Sequence, residues 1–185
     1  MADAGRAEIG EAWSAGKVKW NSSRKARRGS VPTRAVEEIV ERLRKCASEL
    51  EKMLGDEFLG LVLFGSWARG EAREDSDVDV FVVLKSLKGL EARAAVYRVV
   101  SRGVGRAVTL VDARADELFG RELELTPLLL NILVDGIVVY DRTGKLAELA
   151  AKAQQLVEAE GLVRYRTPNG KYGWKRLDGK PLVPV

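Results

Sequence analysis

Histidine is absent from this chain of 185 residues. That removes imidazole from the available chemistry: no histidine general acid or base, no Ser-His-Asp triad, no histidine-ligated zinc. Proton transfer and ligation fall to carboxylates, Lys, Arg, Tyr, hydroxyls and a bound metal. Cysteine is nearly absent as well. Cys46 stands alone, which excludes an internal disulfide and fits a cytoplasmic location. Its place on the apolar stripe of an expected helix makes it a small core residue rather than a reactive thiol. No apolar run reaches bilayer-spanning length and no secretory signal opens the chain, so the expectation is a protein with no membrane role. Neither a repeat nor a low-complexity tract occurs.

The composition present, 46% hydrophobic and 31% charged, is that of an ordinary globular domain, and the length suits one domain with tails. The net charge of +4 is unevenly spread. Residues 1–30 hold seven Lys/Arg against three Asp/Glu, and residues 161–185 hold six against one, leaving −5 for the middle. Trp13, Trp20, Tyr165, Tyr172 and Trp174 are interleaved with those basic residues. Such a mix suits an RNA surface or an acidic protein face. The plainer reading is that the aromatics pack on the body and the charges face water.

Hydrophobic spacing predicts the elements. Val36, Ile39, Val40, Leu43, Ala47, Leu50 and Leu54 mark a helix from Pro32 that Gly55 ends. Strands are expected at Phe58–Phe64, Asp77–Leu84, Ala107–Val111 and, as an edge strand, Ile137–Tyr140. Helices are expected at Gly89–Arg102 and Gly144–Ala159, with shorter pieces at Asp116–Leu118 and Thr126–Val134. Leu162–Trp174 reads as a hairpin turning at Pro168-Asn169-Gly170. The fold class is α/β (α+β), a small mixed sheet of three to five strands with helices packed on it. The organisation expected is a basic arm over 1–30, a core domain over 31–143, and a C-terminal helix and basic hairpin over 144–185.

The most informative segment runs from residue 64 to residue 83. Phe64-Gly65-Ser66-Trp67-Ala68-Arg69-Gly70 follows an apolar run, and Ser76-Asp77-Val78-Asp79 opens the next one. In a strand Asp77 and Asp79 face the same way while Val78 and Val80 face the core. Two carboxylates on one strand face repel each other, and a divalent cation with oxygen preference, Mg²⁺ or Mn²⁺, relieves that. A solvated turn pair would not need the apolar run Val80–Leu84 behind it. Gly65 permits close approach of backbone to a ligand, and Ser66 reads as the N-cap of a helix whose free N–H groups attract phosphate. An acid pair beside a phosphate cradle suits metal-assisted nucleotidyl transfer. Arg69 is placed to reach phosphate oxygens, or else to pair with Glu71 or Glu74.

Gly65-Ser66, Ala68-Arg69-Gly70 and Ser76-Asp77-x-Asp79 resemble the signature of the minimal nucleotidyltransferase branch of the DNA polymerase β-like superfamily, and the surrounding elements extend the likeness from Val31 to Asp141. The resemblance implies the superfamily's α/β core and transfer of a nucleotidyl group from a nucleoside triphosphate, ATP in the first instance, to a hydroxyl. It implies that Asp77 and Asp79 bind the metal and the triphosphate, that Gly65 and Ser66 hold its phosphates, and that a helical HEPN-type protein is the partner, with this chain as antitoxin. It also implies a third catalytic acid on a later strand. The aligned slot holds Thr109, and Asp112 follows three residues on with the wrong parity. A bulge re-aims Asp112, the acid comes from elsewhere, or the base is lost. The alternatives are a nucleotide-fold binding module working through its basic tails, and transfer to a small molecule.

Overall fold

Helix α1, Thr33–Leu54, buries Val36, Ile39, Val40, Leu43, Cys46, Ala47 and Leu50 along one stripe and stops at Gly55. In this computed structural model the described residues are 32–86, 90–120, 123–168 and 172–179; the expected N-terminal arm, with Trp13 and Trp20, lies outside them. Four strands follow α1: β1 Phe58–Phe64, β2 Val78–Leu84, β3 Val108–Arg114 and β4 Ile137–Asp141. They form one mixed sheet in the order β3-β2-β1-β4. β1 runs antiparallel to β2 and β4, and β2 runs parallel to β3. The short run after Gly136 is therefore an edge strand, as its length suggests.

β1 and β2 are the two inner strands, covered on both faces, which is why both read as nearly unbroken apolar runs rather than alternating ones. One face presents Leu61, Leu63, Val80, Val82 and Leu110 to α1 and to α3, Leu90–Val104. The other presents Val62, Phe64, Phe81 and Val83 to three helices: α4 (Ala115–Leu118), α5 (Pro127–Asp135) and α6 (Lys145–Ala159). α3 crosses α1 so closely that a Cβ on Gly103 would stand 2.2 Å from Cys46 Sγ. Burial pushes the Cys46 thiol above its ordinary range, and its work is packing.

The chain ends in an antiparallel hairpin, β5 Leu162–Arg166 and β6 Tyr172–Arg176. Asn169 and Gly170 of the expected turn lie outside the described residues. Trp174 packs with Leu130 and Leu133 of α5 and Ala153 of α6, and its indole Nε1 donates to Asn131 Oδ1 at 2.9 Å. Arg164 is ion-paired with Asp135, and Arg176 with Glu160 at 2.6 Å and Asp178 at 3.1 Å. For Trp174 the plainer of the two readings holds, since the ring is core rather than open recognition surface. Trp174→Ala is expected to cost about 3–5 kcal/mol, the usual range for a buried tryptophan cut to alanine. Urea melts of the full chain check this, and a loss below about 1 kcal/mol would show that the hairpin is not part of the core. No described helix is long and apolar enough to cross a membrane.

Candidate functional site

The antiparallel register of β1 and β2 sets Phe64 opposite Asp79. The chain leaving β1 therefore turns directly over that carboxylate. The turn starts at Gly65, whose φ of +71° is a left-handed conformation that L side chains rarely adopt. A Cβ there would sit 1.9 Å from Asp79 Oδ2, so the close approach itself demands glycine. The single-turn helix α2, Gly65–Ala68, begins two residues earlier than Ser66 as N-cap suggests, with Phe64 at the N-cap position and no side-chain cap. Ser66 is inside the turn, and its backbone N–H points to the Asp79 carboxylate.

Asp79 is half-buried and collects several influences. Burial raises its carboxyl above the ordinary carboxylate range; Arg69 pulls it down, the charge of Asp77 pushes it up, and hydrogen bonds from the Ser66 N–H and the Thr109 hydroxyl favour the ionised form. The Thr109 bond follows from the parallel register, which pairs Asp79 with Thr109. Asp77 precedes β2 and is exposed. The loop into it is tied at two points: Trp67 Nε1 donates to the Ser76 carbonyl at 3.2 Å, and the Arg73 N–H donates to Ser76 Oγ at 2.9 Å. Trp67 is thus the packing residue behind the motif, with the Arg106 guanidinium 5.2 Å above its ring. Glu74 and Asp75 are exposed on this loop.

Arg69 pairs with Glu71, one of the carboxylates named for it, but not as a surface residue. Its side chain is only 13% exposed; Nε lies 3.1 Å from Glu71 Oε2, Nη1 lies 3.9 Å from Asp135 Oδ2, and the guanidinium stacks 4.5 Å from the centre of the Tyr172 ring. Asp135, with a side chain 4% exposed, also faces Arg164. Its Oδ2 meets both guanidiniums as an ion pair without an aligned hydrogen bond. The Tyr172 hydroxyl donates to both Glu71 oxygens, at 2.7 and 2.8 Å. Sequence reasoning missed Asp135, Arg164 and Tyr172 as neighbours of the motif. One signal was available: Asp135 is the only charged residue of α5, Pro-Leu-Leu-Leu-Asn-Ile-Leu-Val-Asp.

Asp112 does not join the pair. The β2–β3 register runs without a break from Val78↔Val108 to Leu84↔Arg114, so no bulge re-aims it. Three residues from Thr109 it points to the opposite face of the sheet, where it pairs with Arg93 Nη1 of α3 at 2.9 Å. The expectation of Asp112 as third acid is corrected on that geometry. Among the described residues no cluster of three or more metal-capable side chains exists. Asp79 near the start of β2 and Asp77 just before the strand are the donors available. That set fits Mg²⁺, which takes one or two protein carboxylates and completes its octahedron with waters and substrate phosphates.

The sequence pattern of the nucleotidyltransferase domain family matches residues 40–140. Two proteins of Methanocaldococcus jannaschii, both provisionally named protein adenylyltransferases, are 34% identical to the chain. One is matched over 65 residues, 35% of this chain and 66% of the relative. The other is matched over 109 residues, 55% and 69% respectively. A crystal structure of a toxin–antitoxin with AMP-PNP superposes with a TM-score of 0.45 at 18% identity, over 63% of this chain and 87% of that one.

Proposed function

We propose, from the premise that this chain belongs to the nucleotidyltransferase domain family, that it transfers AMP from Mg²⁺-bound ATP to a hydroxyl on a protein acceptor. The observation that carries this reading is the contact of Gly65 with Asp79. That contact sets the left-handed turn after β1 directly over the Asp79 carboxylate, which the charge of Asp77, just before β2, also reaches. Asp77 and Asp79 would hold the metal, which supplies charge neutralisation and alignment of the triphosphate when bound. Gly65 and Ser66 would hold phosphate oxygens. Arg69, fixed beside them by Glu71 and Asp135, contributes a set positive charge at the edge of the cradle. Mn²⁺ has the same ligand preference and is expected to substitute.

The acceptor oxygen bonds to the α-phosphorus, the bond from that phosphorus to the bridging oxygen breaks, and pyrophosphate leaves. Thr109 occupies the slot where a third acid would stand, and a threonine hydroxyl is no base at neutral pH. The proton of the attacking hydroxyl therefore passes to water or to a base that the acceptor brings. The names of the two relatives support a protein acceptor. A helical HEPN-type protein is the partner that the motif resemblance favours, and a cytoplasmic site of action goes with it.

The experiment is incubation of the chain with Mg²⁺-ATP and a HEPN-type protein encoded beside it. Intact-mass spectrometry is expected to show an added adenylyl group, 329 Da by the chemistry of AMP transfer, on the order of one per modified hydroxyl. ATP binding that needs Mg²⁺ but never yields a modified acceptor would leave a binding module in place of the enzyme. Absence of Mg²⁺-dependent ATP binding would remove both.

A further inference from the structure

The family match ends at residue 140, yet the hairpin beyond it reaches back to the motif. Its pairing sets Arg164 beside Trp174 and Arg166 beside Tyr172. Cross-strand neighbours share a face, so one face of the hairpin carries cations and aromatics in alternation. Trp174 anchors that face through its bond to Asn131 and its packing on α5 and α6. Arg164 comes next, its guanidinium 4.7 Å from the Trp174 ring centre and 5.4 Å from that of Tyr172, with Asp135 as its ion partner. Tyr172 lies nearest the motif, bonded to both oxygens of Glu71 and stacked on Arg69. Arg69 thereby lies among Glu71, Asp135 and Tyr172; the hairpin supplies the tyrosine and touches both carboxylates.

A simple cover for the apolar side of α5 and α6 would need Trp174 and Leu162 only. It would not need a phenol bonded to a carboxylate, or guanidiniums removed from water. Such charge networks are poor stabilisers compared with apolar packing, because desolvation offsets their attraction. What they do supply is a fixed orientation. A free arginine side chain has many rotamers, whereas a guanidinium held at Nε, at Nη1 and on one face has few.

We infer that Tyr172 is a positioning residue of the site: by holding Glu71 it fixes the Arg69 guanidinium beside the Gly65–Ser66 turn, and so sets both the order of that turn and its affinity for a triphosphate. The second half of this inference rests on the nucleotide-binding reading above; the first half does not. Burial and the Glu71 bond both push the Tyr172 phenol above its ordinary range, so it stays a donor at neutral pH.

The test uses the full-length chain with Tyr172→Phe, alone and combined with Arg69→Lys, because lysine cannot make the Nε contact to Glu71. Phenylalanine keeps the ring and removes the hydroxyl. Without nucleotide, Tyr172→Phe is expected to speed amide hydrogen exchange in residues 66–71 by about three- to tenfold, the range for losing one ordinary hydrogen bond, while exchange in β1 and β2 and the melting temperature hold. With Mg²⁺-ATP, calorimetry is expected to show a dissociation constant raised about three- to tenfold. In the Arg69→Lys background both effects of Tyr172→Phe are expected to vanish, since residues acting through one another are non-additive. Unchanged exchange in residues 66–71 overturns the inference and leaves the hairpin as a cover. Equal losses in both backgrounds overturn it too, because Tyr172 would then not act through Arg69. If exchange responds as expected but the parent chain binds no Mg²⁺-ATP, the positioning role stands and the nucleotide reading falls.

Discussion

Gly65→Val is expected to abolish Mg²⁺-ATP binding and to destabilise the fold. Two costs add. The backbone at φ +71° is strained for any residue with a Cβ, by about 1–3 kcal/mol, and worst for a β-branched one. The Cβ must also displace the Asp79 carboxylate, since Oδ2 lies 1.9 Å from its ideal position. The displaced carboxylate loses the Ser66 N–H and the Thr109 hydroxyl that favour its charged form. Gly65→Ala suffers the same collision and is expected to fail in binding with a smaller loss of stability. Ser66→Ala should be mild, because the N–H to Asp79 is backbone and survives; the missing hydroxyl is worth about 1 kcal/mol. Calorimetry and thermal melts on the three variants give the ranking. If Ser66→Ala binds ATP worse than Gly65→Ala, the close-approach argument is wrong.

Asp79→Asn is expected to weaken Mg²⁺-ATP binding by at least about 100-fold, on the order of 3 kcal/mol, since one of two charged ligands is lost. The same change should leave the apo fold as stable as the parent or more so at neutral pH. The sign follows from the raised carboxyl of Asp79, whose leading cause is burial. A carboxyl raised by folding favours the folded state only while protonated. Below the unfolded value, about 3.9, that contribution is complete; as pH rises through the folded value it is lost. The parent should therefore lose ground to Asp79→Asn as pH climbs out of the acid range, and the two should converge below it. Asp77→Asn removes a charge that pushes Asp79 up, so it too should relieve the apo protein while costing metal affinity. Melting curves from pH 3 to 8 decide the matter. A parent that outperforms Asp79→Asn at neutral pH without Mg²⁺ would mean that the acid pair serves the fold rather than a metal.

The sheet is legible in the sequence because its inner strands announce themselves. Phe58–Phe64 and Val78–Leu84 are continuous apolar runs with a single acid, Asp79, between them in seven-residue strands. Helix α1 is legible for the same reason, from a stripe that repeats with helical period. Asp112 is half legible. Its parity with Thr109 predicts that it faces away, and the unbroken register leaves that prediction unrelieved. The start of α2 is misread because a serine after a strand looks like a cap, while the actual turn is set by what Gly65 must avoid in Asp79. The hairpin's contact with the motif is not legible at all. Periodicity reports which face of an element is buried, not which distant residue it meets. Tyr172, Arg164 and Asp135 come together only through the packing of β5–β6 on α5.

Tyr172 and Glu71 are separated by 101 positions in the chain. A ribosome adds roughly 5–20 residues per second, so the motif loop is made roughly 5–20 seconds before the tyrosine that holds it. During that interval the emerging polypeptide can pair β1 with β2, whose contact is local, but Arg69 has no stacking partner and Asp135 lacks the Arg164 that comes after it. Contacts of such long separation close late in folding. A chain still attached to the ribosome therefore carries the acid pair before it carries the finished surroundings of Arg69.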